Sequence, residues 1–404
     1  MTHIYRRAVP LALGAALLLG VAAEATPAPG IDAVLDRWVE SGRIAGAVAL
    51  VAKDGEIVYR RAAGHADREA GMPVTEDTIF RHASMTKLIT SATALALVDR
   101  GRLSLDAPVT DWLPWFTPAL PDGRQPTITI RHLMTHTAGL SYVFLEPQGN
   151  AYETLGVPQG LGAEDLSLEE ALRRLAEAPL FFEPGSEWRY SLGTDVLGAV
   201  IEEAAGMPLP EAVRHYVTGP LGMADTTFVV TEPDRLSAAY RDGDDVAERM
   251  ADEGDLVPLG EAGVPVWPAR VLDAAAYPSG GGGMSGTAGD YLALLEVIRT
   301  GGAPILSEAA ARDIGTHAIG NLRAWTEGDG WGHGLGAAVL LDAEAADTPQ
   351  TPGTFQWGGA LGSHWFVDPA VGLTVVVLTN TSVAGVIGDF PAEMRDAIYA
   401  TYAE

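Results

Sequence analysis

Runs with the pattern of β-strands stand at the two ends of this chain and are nearly absent between them. Near the start, Ala45–Ala52 is a stretch of small and β-branched residues, Lys53-Asp54-Gly55 supplies a turn, and Glu56–Arg61 resumes as strand. That is the pattern of a β-hairpin. Late in the chain, strand-like runs return at Gly334–Leu341, Gly353–Asp368 and Val371–Thr379. Residues 110–290 instead hold many Pro and Gly and short helical patterns such as Leu168–Ala178 and Asp195–Ala205. Helical spacing also marks Ile31–Ser41, with apolar residues at 31, 34, 35 and 38, then Ser84–Asp99 and a last stretch from Phe390 to Tyr402. The expected fold is α+β: an antiparallel sheet built from both chain ends and flanked by their helices, plus a mostly helical insertion. The expected division is an α/β lobe at about 30–110 and 290–404 and a helical lobe at about 111–289. No internal repeat is visible.

The N-terminus reads as an address. Arg6-Arg7 precedes an apolar run, Ala8–Ala23, and Ala23-Glu24-Ala25 is a small-x-small cleavage pattern. A secretory signal peptide over residues 1–25 is expected, leaving a mature domain at 26–404 that is exported to the periplasm or the medium. The run is about 16 residues, short for a bilayer span, so no stable membrane insertion is expected after cleavage. The chain has no cysteine, which excludes disulfides, thiolate metal sites and a cysteine nucleophile. Its 26 basic and 53 acidic residues give a net charge of −27, which repels phosphate backbones, so no nucleic-acid partner is expected. Arg241–Asp255 holds seven acidic residues but lacks EF-hand spacing and reads as a solvated loop. No His-Glu-x-x-His cluster occurs, and neither a metal nor a cofactor is expected.

Of the 26 basic residues only Lys53 and Lys87 are lysines. That scarcity gives weight to Ser84-Met85-Thr86-Lys87. With 14 serines and two lysines in 404 residues, about 0.07 accidental Ser-x-x-Lys matches are expected. On a helix, positions i and i+3 share a face, so Ser84 Oγ and Lys87 Nζ can meet without help from the rest of the fold. A serine hydroxyl needs a neighbour to take its proton. A lysine does so when desolvation or a helix N-terminus lowers its pKa. The same helix start points N–H groups at developing negative charge. The plain alternative is a capping serine beside a surface lysine.

Two further segments could complete such a site. Pro184–Asp195 leads from a turn into a helix, and Tyr190 sits just before that helix, where its phenol can enter a cleft. Beside an ammonium, a phenolate forms more readily and can relay a proton between Ser84 and a leaving group. Taken alone, Tyr190 reads more readily as core packing. Phe355–Asp368 reads as one strand, with a turn at Asp368-Pro369 and a partner from Val371. Gly358-Gly359 weakens a strand, which points either to close backbone approach or to a β-bulge. A substrate along this edge would receive the Ala360 N–H as a second oxyanion donor.

These segments together resemble the penicilloyl-serine transferase superfamily of serine β-lactamases and penicillin-binding proteins, and within it the family VIII carboxylesterases. Ser84-Met85-Thr86-Lys87 matches the family's Ser-x-x-Lys, Tyr190-Ser191-Leu192 stands where β-lactamases have Tyr-x-Asn, and Trp357-Gly358-Gly359 matches the Trp-Gly-Gly of the esterases. Leu133–Leu140, Pro220–Thr226 and Gly280–Asp290 agree as well, so the resemblance covers roughly residues 31–400. It implies a β-lactamase/transpeptidase-like fold with the site between two lobes, and acyl-enzyme chemistry at Ser84. Which residue is the acylation base stays open. Leu192 replaces an amide that would bond a substrate amide, and Trp357 replaces a cation that would face a β-lactam carboxylate. A site without those partners gains no discrimination from them. An apolar cleft suits a neutral ester.

The expected function is therefore a serine carboxylesterase for short- to medium-chain esters, a small-molecule substrate. Ser84 is the nucleophile, Lys87 and Tyr190 shuttle protons, and Ala360 with Gly359, Gly358 and Trp357 binds substrate and oxyanion. The alternatives are a β-lactamase, D,D-peptidase or D-aminopeptidase on cell-wall-type amides, acyl transfer on the same site, and a non-catalytic penicillin-binding sensor. Ser285, in a near match to Gly-x-Ser-x-Gly, lacks the preceding strand of a nucleophile elbow. His136, His333 and His364 read as structural histidines that could also line the cleft. Of the tryptophans, Trp357 and Trp365 are expected to touch substrate.

Overall fold

The computed structural model describes residues 28–260 and 263–403. The expected signal peptide lies outside them. An eight-stranded sheet runs in the order Trp331–His333, Ala338–Leu340, Phe355–Gly359, Ser363–Asp368, Leu373–Thr379, Gly46–Lys53, Glu56–Asp67 and Met72–Pro73. All of its neighbours are antiparallel. The join between the chain ends is the pairing of Gly46–Lys53 with Leu373–Thr379, in register from Ala47 opposite Thr379 to Lys53 opposite Leu373.

Gly46–Lys53 is apolar at nearly every position because both faces of the sheet are covered. Ala47, Ala49 and Val51 pack with Ile31 and Leu35 of helix Pro29–Glu40 and with Phe390, Met394 and Ile398 of helix Asp389–Tyr402. Val48, Leu50 and Ala52 face the other way, into the large core that holds helix Thr86–Asp99. That helix is buried from Thr86 to Leu97, which explains why its sequence lacks a polar face.

Two readings of the sequence need correction. Phe355–Asp368 is not one strand but a hairpin of two, Phe355–Gly359 and Ser363–Asp368, joined through Ala360, Leu361 and Gly362. The turn at Asp368-Pro369 then leads to Leu373–Thr379 as a third strand. Arg241–Asp255, expected as a solvated loop, includes strand residues of two short ribbons: Tyr240–Arg241 with Glu248–Arg249, and Asp255–Val257 with Val264–Val266. Two of their acidic residues, Glu248 and Asp255, pair with Arg241, while Arg249 pairs with Asp67 of strand Glu56–Asp67. Among the described residues no helix is long and apolar enough to cross a membrane.

Candidate active site

Ser84 lies in a 3-10 turn, Ala83–Met85, that runs directly into helix Thr86–Asp99. The residue before it, Ala83, has φ +44°, a left-handed conformation that a side chain rarely adopts. Such strain persists only where the surroundings enforce it. Here Ala83 is fully buried in a cluster with Leu361, Val257 and Val264.

Lys87 follows one turn later and is buried. Its Nζ donates to Ser84 Oγ at 3.3 Å and to the Gly281 carbonyl at 2.7 Å. It also lies over the rings of Tyr190, 4.6 Å from the centroid, and Tyr142, at 5.2 Å. Tyr190 arrives from the segment before helix Gly193–Ala205, and its hydroxyl donates to Ser84 Oγ at 2.6 Å. Three side chains from two distant segments thus meet on one oxygen.

The strand end carrying Gly358-Gly359 closes the other side. Register runs without a shift from Phe355 to Gly359, so there is no bulge. A Cβ on Gly359 would lie 2.2 Å from the His82 carbonyl oxygen, and one on Gly358 would lie 2.3 Å from Val386 Cγ2. The close approach read from the sequence is made by the chain's own nucleophile turn. Ala360 is the next residue after this contact of Gly359 with His82 and Ala83. Among the described residues the Ala360 N–H donates to no protein acceptor, while its carbonyl receives the Val383 N–H at 3.4 Å.

One wall of the site is aromatic. Trp357 stands 5.3 Å from the Tyr190 ring and 5.5 Å from His333. His136 stands 4.9 Å from Tyr190 and 5.3 Å from His333. Burial holds His136 well below the ordinary imidazole pKa, with His333 and the Lys87 cation adding to the effect. Burial likewise brings His333 down to about 4. Both are therefore neutral ring surfaces at neutral pH. Trp188 and the half-exposed Trp325 extend the wall, their rings 5.7 Å apart.

His364 and Trp365 are not part of this wall. His364 turns to the Gly385 carbonyl and the Phe390 ring. Trp365, expected at the substrate, is 1 % exposed and packs in the core against Tyr291 and Phe355. Ser285 is fully buried in a two-residue strand pairing with Phe80-Arg81. Leu192 is buried in the core. Sequence reasoning missed Tyr142 and the Gly281 carbonyl, both of which meet Lys87. The signals were present in Gly139-Leu140-Ser141-Tyr142 and in Gly280–Gly283, but their meaning depends on where the chain crosses itself. Among the described residues no group of three or more His, Asp or Glu side chains is placed to hold a metal ion.

This fold, with a serine, a lysine and a tyrosine sharing one hydroxyl, defines an active-serine enzyme of the Ser-x-x-Lys kind. The Beta-lactamase family model matches residues 31–394, and the chain belongs to that family. It is 52% identical to Esterase EstB of Burkholderia gladioli over 382 residues, covering 93% of this chain and 96% of that one. It is 28% identical to monacolin J acid methylbutanoyltransferase of Aspergillus terreus over 434 residues, covering 96% and 99% of the two chains. The solved structure of EstCE1, described as a hydrolase with promiscuous acyltransferase activity, superposes with a TM-score of 0.89 at 46% identity, covering 92% of this chain and 98% of that one.

Proposed function

We propose that this protein is a serine carboxylesterase acting on neutral esters of short to medium acyl chains. The observation that carries the reading is the convergence of Lys87 Nζ and Tyr190 OH on Ser84 Oγ beside an aromatic wall that includes Trp357. The likeness to EstB, an esterase by name, supports it. Ser84 Oγ attacks the ester carbonyl and passes its proton to the Tyr190–Lys87 pair, which takes it up in the form that is one proton short, as phenolate or neutral amine. The N–H groups of Ser84 and Ala360 hold the oxyanion as it forms. The same pair returns the proton to the departing alkoxide, and water then cleaves the acyl-enzyme by the reverse path. Trp357 offers no charge to a substrate carboxylate, which disfavours β-lactams. Export after signal cleavage belongs to the same proposal and rests on Arg6-Arg7, Ala8–Ala23 and Ala23-Glu24-Ala25.

The test compares p-nitrophenyl butyrate with nitrocefin. Esterase function requires clearly faster turnover of the ester, and faster β-lactam turnover would replace this reading with the lactamase one.

A further inference from the structure

The buried Lys87 ammonium has no carboxylate partner within ion-pair distance among the described residues; its polar contacts are Ser84 Oγ and the Gly281 carbonyl. Against the N–H of that same glycine lies Asp195, in the first turn of helix Gly193–Ala205 and 3 % exposed. Its Oδ1 receives the Ser279 hydroxyl at 2.6 Å and the Gly281 N–H at 3.4 Å. Among the described residues its Oδ2 is buried and receives nothing. A Cβ on Gly281 would stand 2.4 Å from that oxygen, so only glycine lets the carboxylate lie against this backbone. One residue, Gly281, thus has its N–H on a carboxylate and its C=O on the lysine, through two consecutive peptide groups. The mechanism described above makes no use of Asp195.

We propose that Asp195 is a positioning residue of the Ser84 site: through the Gly281 backbone it fixes the place of Lys87 Nζ and supplies the negative charge that balances this ammonium. A buried carboxylate with one bare oxygen is costly and is retained where its charge does something. The start of helix Gly193–Ala205 favours that charge. Burial raises the Asp195 pKa, while Ser279, Lys87, Gly281 and Arg270 oppose the rise. The other ionisable groups around the pair are Tyr142, Tyr190 and His136 beside Lys87, and Tyr277 with Arg270 beside Asp195. The inference rests on the reading of Lys87 as a member of the Ser84 site.

The chain has only two lysines, so a protein labelled with 13C at the lysine ε carbon gives two resonances, and Lys53→Arg assigns them. Removing the Asp195 charge leaves the ammonium less stabilised, so in Asp195→Asn the Lys87 titration midpoint should fall by about half a pH unit or more. In the same variant kcat should fall about tenfold with KM changed by less than about twofold, because positioning of a proton carrier is lost and not substrate binding. Ser279→Ala loosens the carboxylate but keeps its charge, and its Lys87 midpoint should stay within about 0.2 pH units of the parent. Asp195→Ser is read in the same way as Asn if the latter does not fold. An unmoved Lys87 midpoint in the neutral variant, or an equal shift in Ser279→Ala, overturns the proposal. Because the resonance is read without substrate, that result stands apart from whether the enzyme is an esterase.

Discussion

The Tyr190 hydroxyl lies 2.6 Å from Ser84 Oγ, closer than Lys87 Nζ at 3.3 Å. The phenol is therefore the nearer of the two polar groups on the serine hydroxyl, and Lys87 Nζ lies 4.6 Å from the centre of its ring. Lysine and tyrosine act on one hydroxyl from two sides, which fixes its direction as well as its reactivity.

Tyr190→Phe keeps the ring that packs against Trp357 and His136 and removes only the oxygen. We expect kcat/KM on p-nitrophenyl butyrate to fall about a hundredfold or more. Stability in urea should change by less than about 1 kcal/mol, since a single hydrogen bond is lost. Near-parental activity would show that Tyr190 packs without carrying protons.

Gly359→Ala tests how the sheet edge meets the nucleophile turn. The new methyl would sit 2.2 Å from the His82 carbonyl oxygen, a backbone atom that cannot swing aside. Either the turn with Ser84 or the strand with Ala360 must move. The expected cost is about 1–3 kcal/mol of stability by chemical denaturation, with kcat falling more than KM rises. A variant of parental stability and rate would mean the two segments are not held against each other.

The pH dependence of stability follows from buried histidines. Burial lowers His82 to about 3, His333 to about 4 and His364 to about 4, from 6.5. Between pH 6.5 and 4 the unfolded chain binds protons that the folded chain refuses, so stability present above 6.5 is lost as pH falls. Each group contributes a slope of up to about 1.4 kcal/mol per pH unit. Melting followed from pH 7 to 4.5 should show a steep fall below about pH 6, shallower in His364→Gln. Equal melting temperatures at pH 7 and pH 5 would contradict the buried neutral state of these rings.

The contacts that were legible in the sequence are the local ones. Ser84 and Lys87 meet because helical spacing puts them on one face, and the rarity of lysine made the pair stand out. The terminal sheet was legible because Ala45–Ala52 and Val371–Thr379 are too apolar to lie anywhere but between two covered faces. The Phe355–Asp368 hairpin was misread because Gly358-Gly359 was taken as a close approach or bulge within one strand, whereas Gly362, at φ +104°, marks a turn. Trp357 and Trp365 stand opposite each other in adjacent strands, yet one borders Tyr190 and the other is sealed behind Tyr291. Alternation along a strand cannot tell them apart. Asp195 escaped notice for a similar reason: its place behind Lys87 exists only because Gly280–Gly283 crosses the nucleophile helix, where Thr90 holds the Gly280 carbonyl and Lys87 the next one.

The central claim is that Ser84 becomes acylated. Intact-protein mass spectrometry of an acid-quenched reaction with p-nitrophenyl butyrate, followed by peptide mapping, reads this directly. The account predicts one butyryl group on the peptide containing Ser84, a burst of nitrophenol equal to the enzyme present, and neither in Ser84→Ala. A butyryl group on any other residue, or full turnover by Ser84→Ala, would contradict it.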